Sequence, residues 1–86
     1  MTAAEHVLRP DDAVVAELAP VLVAFRSHYP SASDRTIHQA YALAQRKHLG
    51  QFRKTGEPFI THPLAVTQIL AEYGLDADTL GAALLH

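Results

Sequence analysis

A basic loop and two histidines are the parts of this chain whose residue types and spacing could do chemistry. The loop spans residues 51–63 and combines the cations Arg53 and Lys54 with a turn signal and His62. A planar guanidinium can stack on a purine, and an ammonium neutralises phosphate charge at close range. The loop therefore predicts a nucleotide-facing site.

The second histidine, His86, becomes a neighbour of His62 if the chain folds back between them. Apolar spacing predicts helices at about residues 63–73 and 77–86. An antiparallel hairpin of these helices would place both imidazoles at one end, where they could bind a single metal ion. Two ligands are few for a metal site. Each histidine can also be interpreted as a local hydrogen-bonding residue or as one favoured by a helix end.

Length and composition predict an all-α fold in one small domain. The 86 residues are 49% hydrophobic but only 7% aromatic, a balance typical of helices rich in small side chains. Seven Lys and Arg against nine Asp and Glu give a net charge of −2, which excludes a global positive field that would attract nucleic acid or anionic lipid.

The lack of cysteine excludes thiolate metal sites and agrees with a cytoplasmic protein. Charges near the N-terminus interrupt its apolar runs, so neither a signal peptide nor a membrane span is expected.

About four helices are expected to position the loop and the histidines, with the last two as an antiparallel hairpin. Residues 1–10 are predicted to be a flexible tail and residues 11–86 to form the domain. Asp11 or Asp12 is expected to cap the first helix. Pro20 should kink or restart that helix, because an interior proline loses a hydrogen bond and clashes with the preceding turn.

The second and third helices are expected to flank the loop, with Gly50 ending the second helix. The candidate N-caps of the second helix are Ser31, Ser33 and Asp34. Pro63 fits the first helical position of the third helix, which places His62 at its N-cap. The expected buried face of that helix is Leu64, Val66, Ile69, Leu70 and Tyr73. Gly74 should take the left-handed position after it, and Asp76 should begin the last helix.

A specific motif gives the chain a family resemblance. The segment RKTGEPFITHP at residues 53–63, preceded by AYALA at residues 40–44 and followed by ALLH at residues 83–86, resembles the start of the alarmone hydrolase domain. That domain belongs to the HD-type phosphohydrolases of the RelA/SpoT homologue family. The resemblance covers about residues 26–86, and its core is highly specific.

The resemblance implies a manganese site and a nucleotide substrate. His62 matches the first metal ligand and His86 matches the histidine of a His-Asp pair. In the family, the ion activates water against the 3′-diphosphate of guanosine tetra- or pentaphosphate. The resemblance further implies that Arg53 lies along the guanine, with Lys54 and Thr55 near the base and the phosphates.

The remaining residues that the resemblance implies do not occur in this sequence. They are the aspartate paired with His86, a following Glu-Asp motif and a distant aspartate ligand, so the chain is expected to be a truncated hydrolase fragment that is inactive alone. The alternative is a non-catalytic remnant or interaction module that binds a partner through an exposed apolar face at residues 82–85. A helix-turn-helix DNA binder is disfavoured, because residues 79–86 offer almost no side chain that reads a base or neutralises a phosphate.

Overall fold

Four α-helices account for most of the part of the chain that the structure describes. A computed structural model describes the backbone of residues 10–86 and the side chains of residues 16–86. Within that range there is no β-strand, and one isolated antiparallel bridge joins Phe52 to Pro58. The helices are α1 (Pro10–His28), α2 (Arg35–Lys47), α3 (Thr61–Glu72) and α4 (Ala77–Leu85). The predicted all-α class is confirmed, and residues 1–9 of the predicted tail lie outside the described residues.

The first helix differs from its prediction at two places. Pro10 already belongs to α1, so Asp11 and Asp12 lie inside the helix and do not precede it as N-caps. α1 also continues without a break through Pro20, so the predicted restart does not occur. Proline removes the amide that would bond to the carbonyl of Ala16, and both residues are exposed, so water can replace that bond. No helix among residues 10–86 combines the length and the hydropathy needed to cross a membrane.

Side chains from all four helices and from the loop before α3 form one core. Its members are Leu18, Val21, Leu22, Phe25, Ile37, Ala40, Tyr41, Ala44, Ile60, Ala71, Leu80 and Leu84. α4 packs against α2 and α3, and α3 also packs against α1. Gly81 of α4 faces α2, where an added Cβ would lie 3.3 Å from Thr36 Cγ2 and 3.4 Å from Ala40 Cβ. The missing side chain lets α2 and α4 approach closely, which fixes the position of the end of α4.

A buried hydroxyl joins α1 to α2. Tyr41 is fully buried, and its hydroxyl donates a hydrogen bond to the carboxylate of Glu17. Burial raises the pKa of Tyr41 well above its usual range, and the hydrogen bond and negative charge of Glu17 raise it further. The phenol therefore remains a neutral donor at physiological pH, and it holds the two helices together across the core.

Asp34 occupies the N-cap position of α2 but acts as an ion-pair partner. Its carboxylate makes no capping hydrogen bond; it contacts the guanidinium of Arg26 and lies 3.4 Å from His38 Nε2. Ser33 takes over the capping role, because its Oγ accepts a hydrogen bond from the amide of Arg35 at 3.2 Å. Partial burial raises the pKa of Asp34, but the hydrogen bonds and charges of Arg26 and His38 together outweigh it, so the pKa lies below its usual value.

The second helix ends before the predicted stop. α2 ends at Lys47, and its C-cap is His48, whose amide donates to the carbonyl of Ala44 at 3.0 Å. Gly50 lies two residues beyond the cap with a φ of 77°, in a turn that the amide of Gln51 closes on the carbonyl of His48 at 2.9 Å. The glycine therefore starts the loop and does not end the helix.

The third helix begins earlier and buries a different face than predicted. α3 begins at Thr61 with Ile60 as N-cap, so His62 lies in its first turn and is not the N-cap. Its buried residues are Pro63, Thr67 and Ala71, with Leu64 and Leu70 half-buried. The other members of the predicted face are exposed: Val66 by 38%, Ile69 by 52% and Tyr73 by 79%. The small side chains of Thr67 and Ala71 let α3 lie close to its neighbours, and the larger ones are left beside the contact.

The turn between α3 and α4 has the predicted left-handed glycine. Gly74 has a φ of 85°, and its amide donates to the carbonyl of Ala71 at 3.0 Å. The amide of Leu75 donates to the carbonyl of Leu70 at 3.2 Å. These two bonds form a Schellman motif, which satisfies the free carbonyls at the end of α3. The motif reverses the chain and makes α3 and α4 a hairpin.

The start of α4 is also as predicted. Asp76 is the N-cap, and its Oδ1 accepts a hydrogen bond from the amide of Thr79 at 2.9 Å. Hydrogen bonds from Thr79 lower the pKa of Asp76 below its usual value. The folded-state pKa is therefore lower than the unfolded one, so this cap stabilises the protein above the unfolded pKa and is lost as the pH falls through the folded one.

The C-terminus of α1 is attached to the turn of the hairpin. His28 Nε2 lies 2.9 Å from the carbonyl oxygen of Glu72, and the hydroxyl of Tyr29 donates to the carbonyl of Gly74 at 2.5 Å. An added Cβ at Gly74 would lie 3.1 Å from His28 Nδ1. These contacts hold the turn against α1.

Replacing Gly74 with alanine should destabilise the protein more than the same change at Gly56. Both glycines have positive φ, and a left-handed backbone costs an L-residue about 1–2 kcal/mol. Only at Gly74 would the methyl group also press on His28, since nothing lies within 4 Å of the corresponding position at Gly56. Urea denaturation of both variants measures the difference in the free energy of unfolding. Equal losses would show that the close approach of His28 does not contribute.

Candidate metal and nucleotide site

Backbone hydrogen bonds fold the basic loop into a small hairpin. The amide of Phe59 donates to the carbonyl of Gln51 at 2.9 Å, and the amide of Arg53 donates to the carbonyl of Glu57 at 2.8 Å. The amide of Gly56 donates to the carbonyl of Arg53 at 2.8 Å and closes the turn at the tip, where Gly56 has a φ of 92°. Both backbone groups of Arg53 are thus engaged, so its Cα is fixed relative to the loop.

The loop leads directly into the first turn of α3. The hydroxyl of Thr61 donates to the carbonyl of Pro58 at 2.8 Å, and the amide of His62 donates to the carbonyl of Phe59 at 3.3 Å. These bonds start the helix two residues before Pro63, whose missing amide hydrogen costs nothing within a first turn. They also bring the side chain of His62 towards the loop.

Arg53 and His62 are in contact. Arg53 Nη1 lies 3.5 Å from His62 Nδ1, at the long limit of a hydrogen bond, and both residues are exposed. The two residues are nine positions apart in the sequence, and neither helical nor strand periodicity relates them. This contact was not predicted, although the turn signal at residues 55–56 could have indicated that the loop folds back.

A cleft between the beginning of α3 and the end of α4 contains both candidate metal ligands. Its volume is about 490 Å³, and it is lined by Phe59, His62, Pro63, Val66, Ala82, Ala83 and His86. His86 is the C-cap of α4, and its amide donates to the carbonyl of Ala82 at 3.0 Å. The helical hairpin of α3 and α4 thus places His62 and His86, which are both exposed, on one cleft at the same end of the two helices. The small side chains of Ala82 and Ala83 leave the space between them open.

The other predicted nucleotide contacts lie farther out. Lys54 and Thr55 are at the exposed tip of the loop, and neither lines the cleft. Among residues 16–86 no group of three or more His, Asp and Glu side chains is close enough together to hold a metal ion. The structure therefore places His62 and His86 on one cleft and Arg53 in contact with His62, and it leaves Lys54 and Thr55 at the exposed tip of the loop.

A third histidine, His48, contacts the wall of the cleft. The rings of His48 and Phe59 have centroids 4.5 Å apart with an interplanar angle of 32°. His48 Nδ1 lies 3.0 Å from Gln51 Oε1, which connects the end of α2 to the base of the loop. Since Phe59 lines the cleft, this tilted ring contact packs the cleft wall against the end of α2. The position of His48 after a helix is the sequence signal for this role.

Residues 40–86 include the loop, both candidate ligands and the cleft between them, and the sequence profile of the HD domain family matches this segment. The chain belongs to the HD domain family. The predicted resemblance to RelA/SpoT homologues is also confirmed by its curated relatives. The bifunctional (p)ppGpp synthase/hydrolase RelA of Mycobacterium tuberculosis is 49% identical over 69 residues, which is 80% of this chain and 9% of that protein.

Two further relatives carry hydrolase names. The guanosine-3′,5′-bis(diphosphate) 3′-pyrophosphohydrolase of Aquifex aeolicus is 55% identical over 60 residues, which is 70% of this chain and 8% of that protein. The bifunctional (p)ppGpp synthase/hydrolase SpoT of Escherichia coli K12 is 51% identical over 61 residues, which is 71% of this chain and 9% of that protein. The chain thus spans less than a tenth of the length of these relatives. No solved structure matches the chain significantly.

Proposed function

We propose that this chain provides part of a manganese-dependent site that removes pyrophosphate from the 3′ position of guanosine 3′,5′-bis(diphosphate). The observation that carries the proposal is the placement of His62 and His86 on one cleft, with Arg53 in contact with His62. Relatives named for (p)ppGpp hydrolysis support the choice of substrate. The same resemblance supports a cytoplasmic setting, and a chain without cysteine agrees with it.

The donor set of the cleft fits a divalent cation. Imidazole nitrogens bind first-row divalent metals, and both histidines are exposed, so an ion can reach them. His62 and His86 would hold the ion, and manganese is proposed because of the family resemblance. When bound, such an ion supplies Lewis acidity that favours hydrolysis of a phosphorus–oxygen bond.

The nucleotide would bind along the basic loop beside the cleft. The exposed guanidinium of Arg53 can stack on guanine, while Lys54 and Thr55 at the loop tip can contact the base and the phosphates. The backbone hydrogen bonds of Arg53 fix where its side chain starts, so the side chain, and not the loop backbone around it, has to be ordered when the nucleotide binds.

We further propose that these 86 residues alone bind the nucleotide and the metal without turnover. The resemblance implies an aspartate paired with His86 and two further acidic elements, and this sequence does not contain them. A second candidate function is association with a protein partner. The apolar face expected for it at residues 82–85 is not free, because Leu84 is fully buried in the core, but the exposure of Val66 and Ile69 on α3 and of its C-cap Tyr73 favours such a contact. Some relatives are named GTP pyrophosphokinase, and that activity is not proposed for this chain.

Calorimetry with guanosine tetraphosphate, together with a pyrophosphate-release assay in the presence of manganese, tests the proposal. The 86-residue protein should bind the nucleotide and release no pyrophosphate, and Arg53→Ala should weaken binding by about fivefold or more, since stacking contributes about 1–3 kcal/mol. Lys47→Ala is the matched control, because Lys47 is an exposed cation outside the loop. Turnover that His62→Ala abolishes would contradict the inactivity of this chain. Equal binding by both variants would contradict the nucleotide site.

A further inference from the structure

In the contact between Arg53 and His62, the chemistry of the two groups decides which one donates the hydrogen bond and which one accepts it. A guanidinium has only donors, so in this 3.5 Å contact the Nδ1 lone pair of His62 can only accept. A neutral imidazole ligand gives a lone pair of the same kind to a metal ion. Nδ1 cannot accept from Arg53 and bind an ion at the same time. An ion on the other ring nitrogen would still lie near the permanent positive charge of the Arg53 guanidinium.

The surroundings of Arg53 make His62 its nearest partner. Among the described side chains the ion pairs are those of Asp34 with Arg26 and His38, so none of them neutralises Arg53. The backbone of Arg53 is held by its bonds to Glu57 and Gly56, so only the side chain can move away. The contact is long and exposed, so little is lost when a better partner for the guanidinium arrives.

We infer that Arg53 and a divalent cation compete for His62, and that a purine nucleoside which draws Arg53 onto its ring strengthens metal binding at His62. This inference rests on the proposed function, because it takes His62 as a metal ligand and Arg53 as a purine contact. Coupling between two binding events is reciprocal, so the metal also strengthens nucleoside binding by the same factor. Substrate recognition and metal loading are thereby joined through one side chain.

Manganese titration of the 86-residue protein, with the free ion followed by electron paramagnetic resonance, tests the competition. Arg53→Met removes the charge and the donors but keeps an extended side chain. Lys47→Met removes one positive charge from an exposed position outside the loop and the cleft. The expected result is manganese binding about fivefold tighter in Arg53→Met than in Lys47→Met. Circular dichroism checks that both variants remain helical.

The second arm uses guanosine, which lacks phosphates and so does not chelate manganese as a nucleotide would. Guanosine should tighten manganese binding in the unchanged protein and in Lys47→Met, and it should have no effect in Arg53→Met. If manganese binding depends on His62 but is the same in both methionine variants, or if guanosine acts equally in both, the competition is wrong and the metal site stands. If no manganese binding is lost in His62→Ala, the metal site and the competition are both wrong.

Discussion

Replacing either His62 or His86 with alanine is expected to weaken manganese binding by about a hundredfold or more, because each imidazole supplies one of only two candidate protein ligands on the cleft. Neither change should alter the fold, since both side chains are exposed. The double variant should lose less binding free energy than the sum of the two single losses, as expected when two residues hold one ion and not two. Isothermal titration calorimetry with manganese chloride measures all three affinities.

His38→Ala is the matched control for that measurement. His38 is a histidine of α2 whose partner is Asp34, and it does not line the cleft. Its replacement should leave manganese affinity within about twofold, because a surface contact of this kind contributes little. If His38→Ala weakened binding as much as His62→Ala, the bound ion would not be at the cleft. If His62 mattered and His86 did not, the hairpin would not create the site.

Leu80→Ala should have the largest effect on stability, with a loss of about 2–5 kcal/mol in the free energy of unfolding. Leu80 is fully buried on α4 and belongs to the core. Small domains have a total stability of about 5–15 kcal/mol, so this loss is a large part of the whole. Urea denaturation followed by circular dichroism gives the value.

An exposed leucine provides the reference for that loss. Leu49 is 83% exposed in the turn after α2, so Leu49→Ala should change the free energy of unfolding by no more than about 0.5 kcal/mol. Similar losses in the two variants would mean that α4 is not packed on α2 and α3 as described. Because His86 ends α4, that result would also remove the structural basis of the cleft.

The local signals of the sequence predicted the hairpin well. Gly74 and Asp76 are short-range signals, because a left-handed glycine and an N-cap act on their own neighbouring amides and carbonyls. The helical classification of the chain rests on similarly local preferences. The hairpin then followed from the short connection between two helices, and with it the placement of His62 and His86 on one cleft.

Features that depend on distant packing were predicted poorly. The apolar pattern of α3 pointed to Val66, Ile69 and Tyr73, but close packing selected the smaller Thr67 and Ala71 for the interior. The side-chain size that fits at a helix contact depends on the neighbouring helix, and the apolar pattern of one helix alone does not reveal it. The contact of Arg53 with His62 depends in the same way on how the loop folds.

The attachment of α1 to the turn at Gly74 makes the two ends of the α3–α4 hairpin unequal. His28 and Tyr29 clamp one end, while the other end is the open cleft between His62 and His86. An ion held by both imidazoles would cross-link the start of α3 to the end of α4, so that both ends of the hairpin would then be held. Heat resistance of the folded chain would then rise with the concentration of the ion by mass action, so melting temperature reports ion occupancy directly.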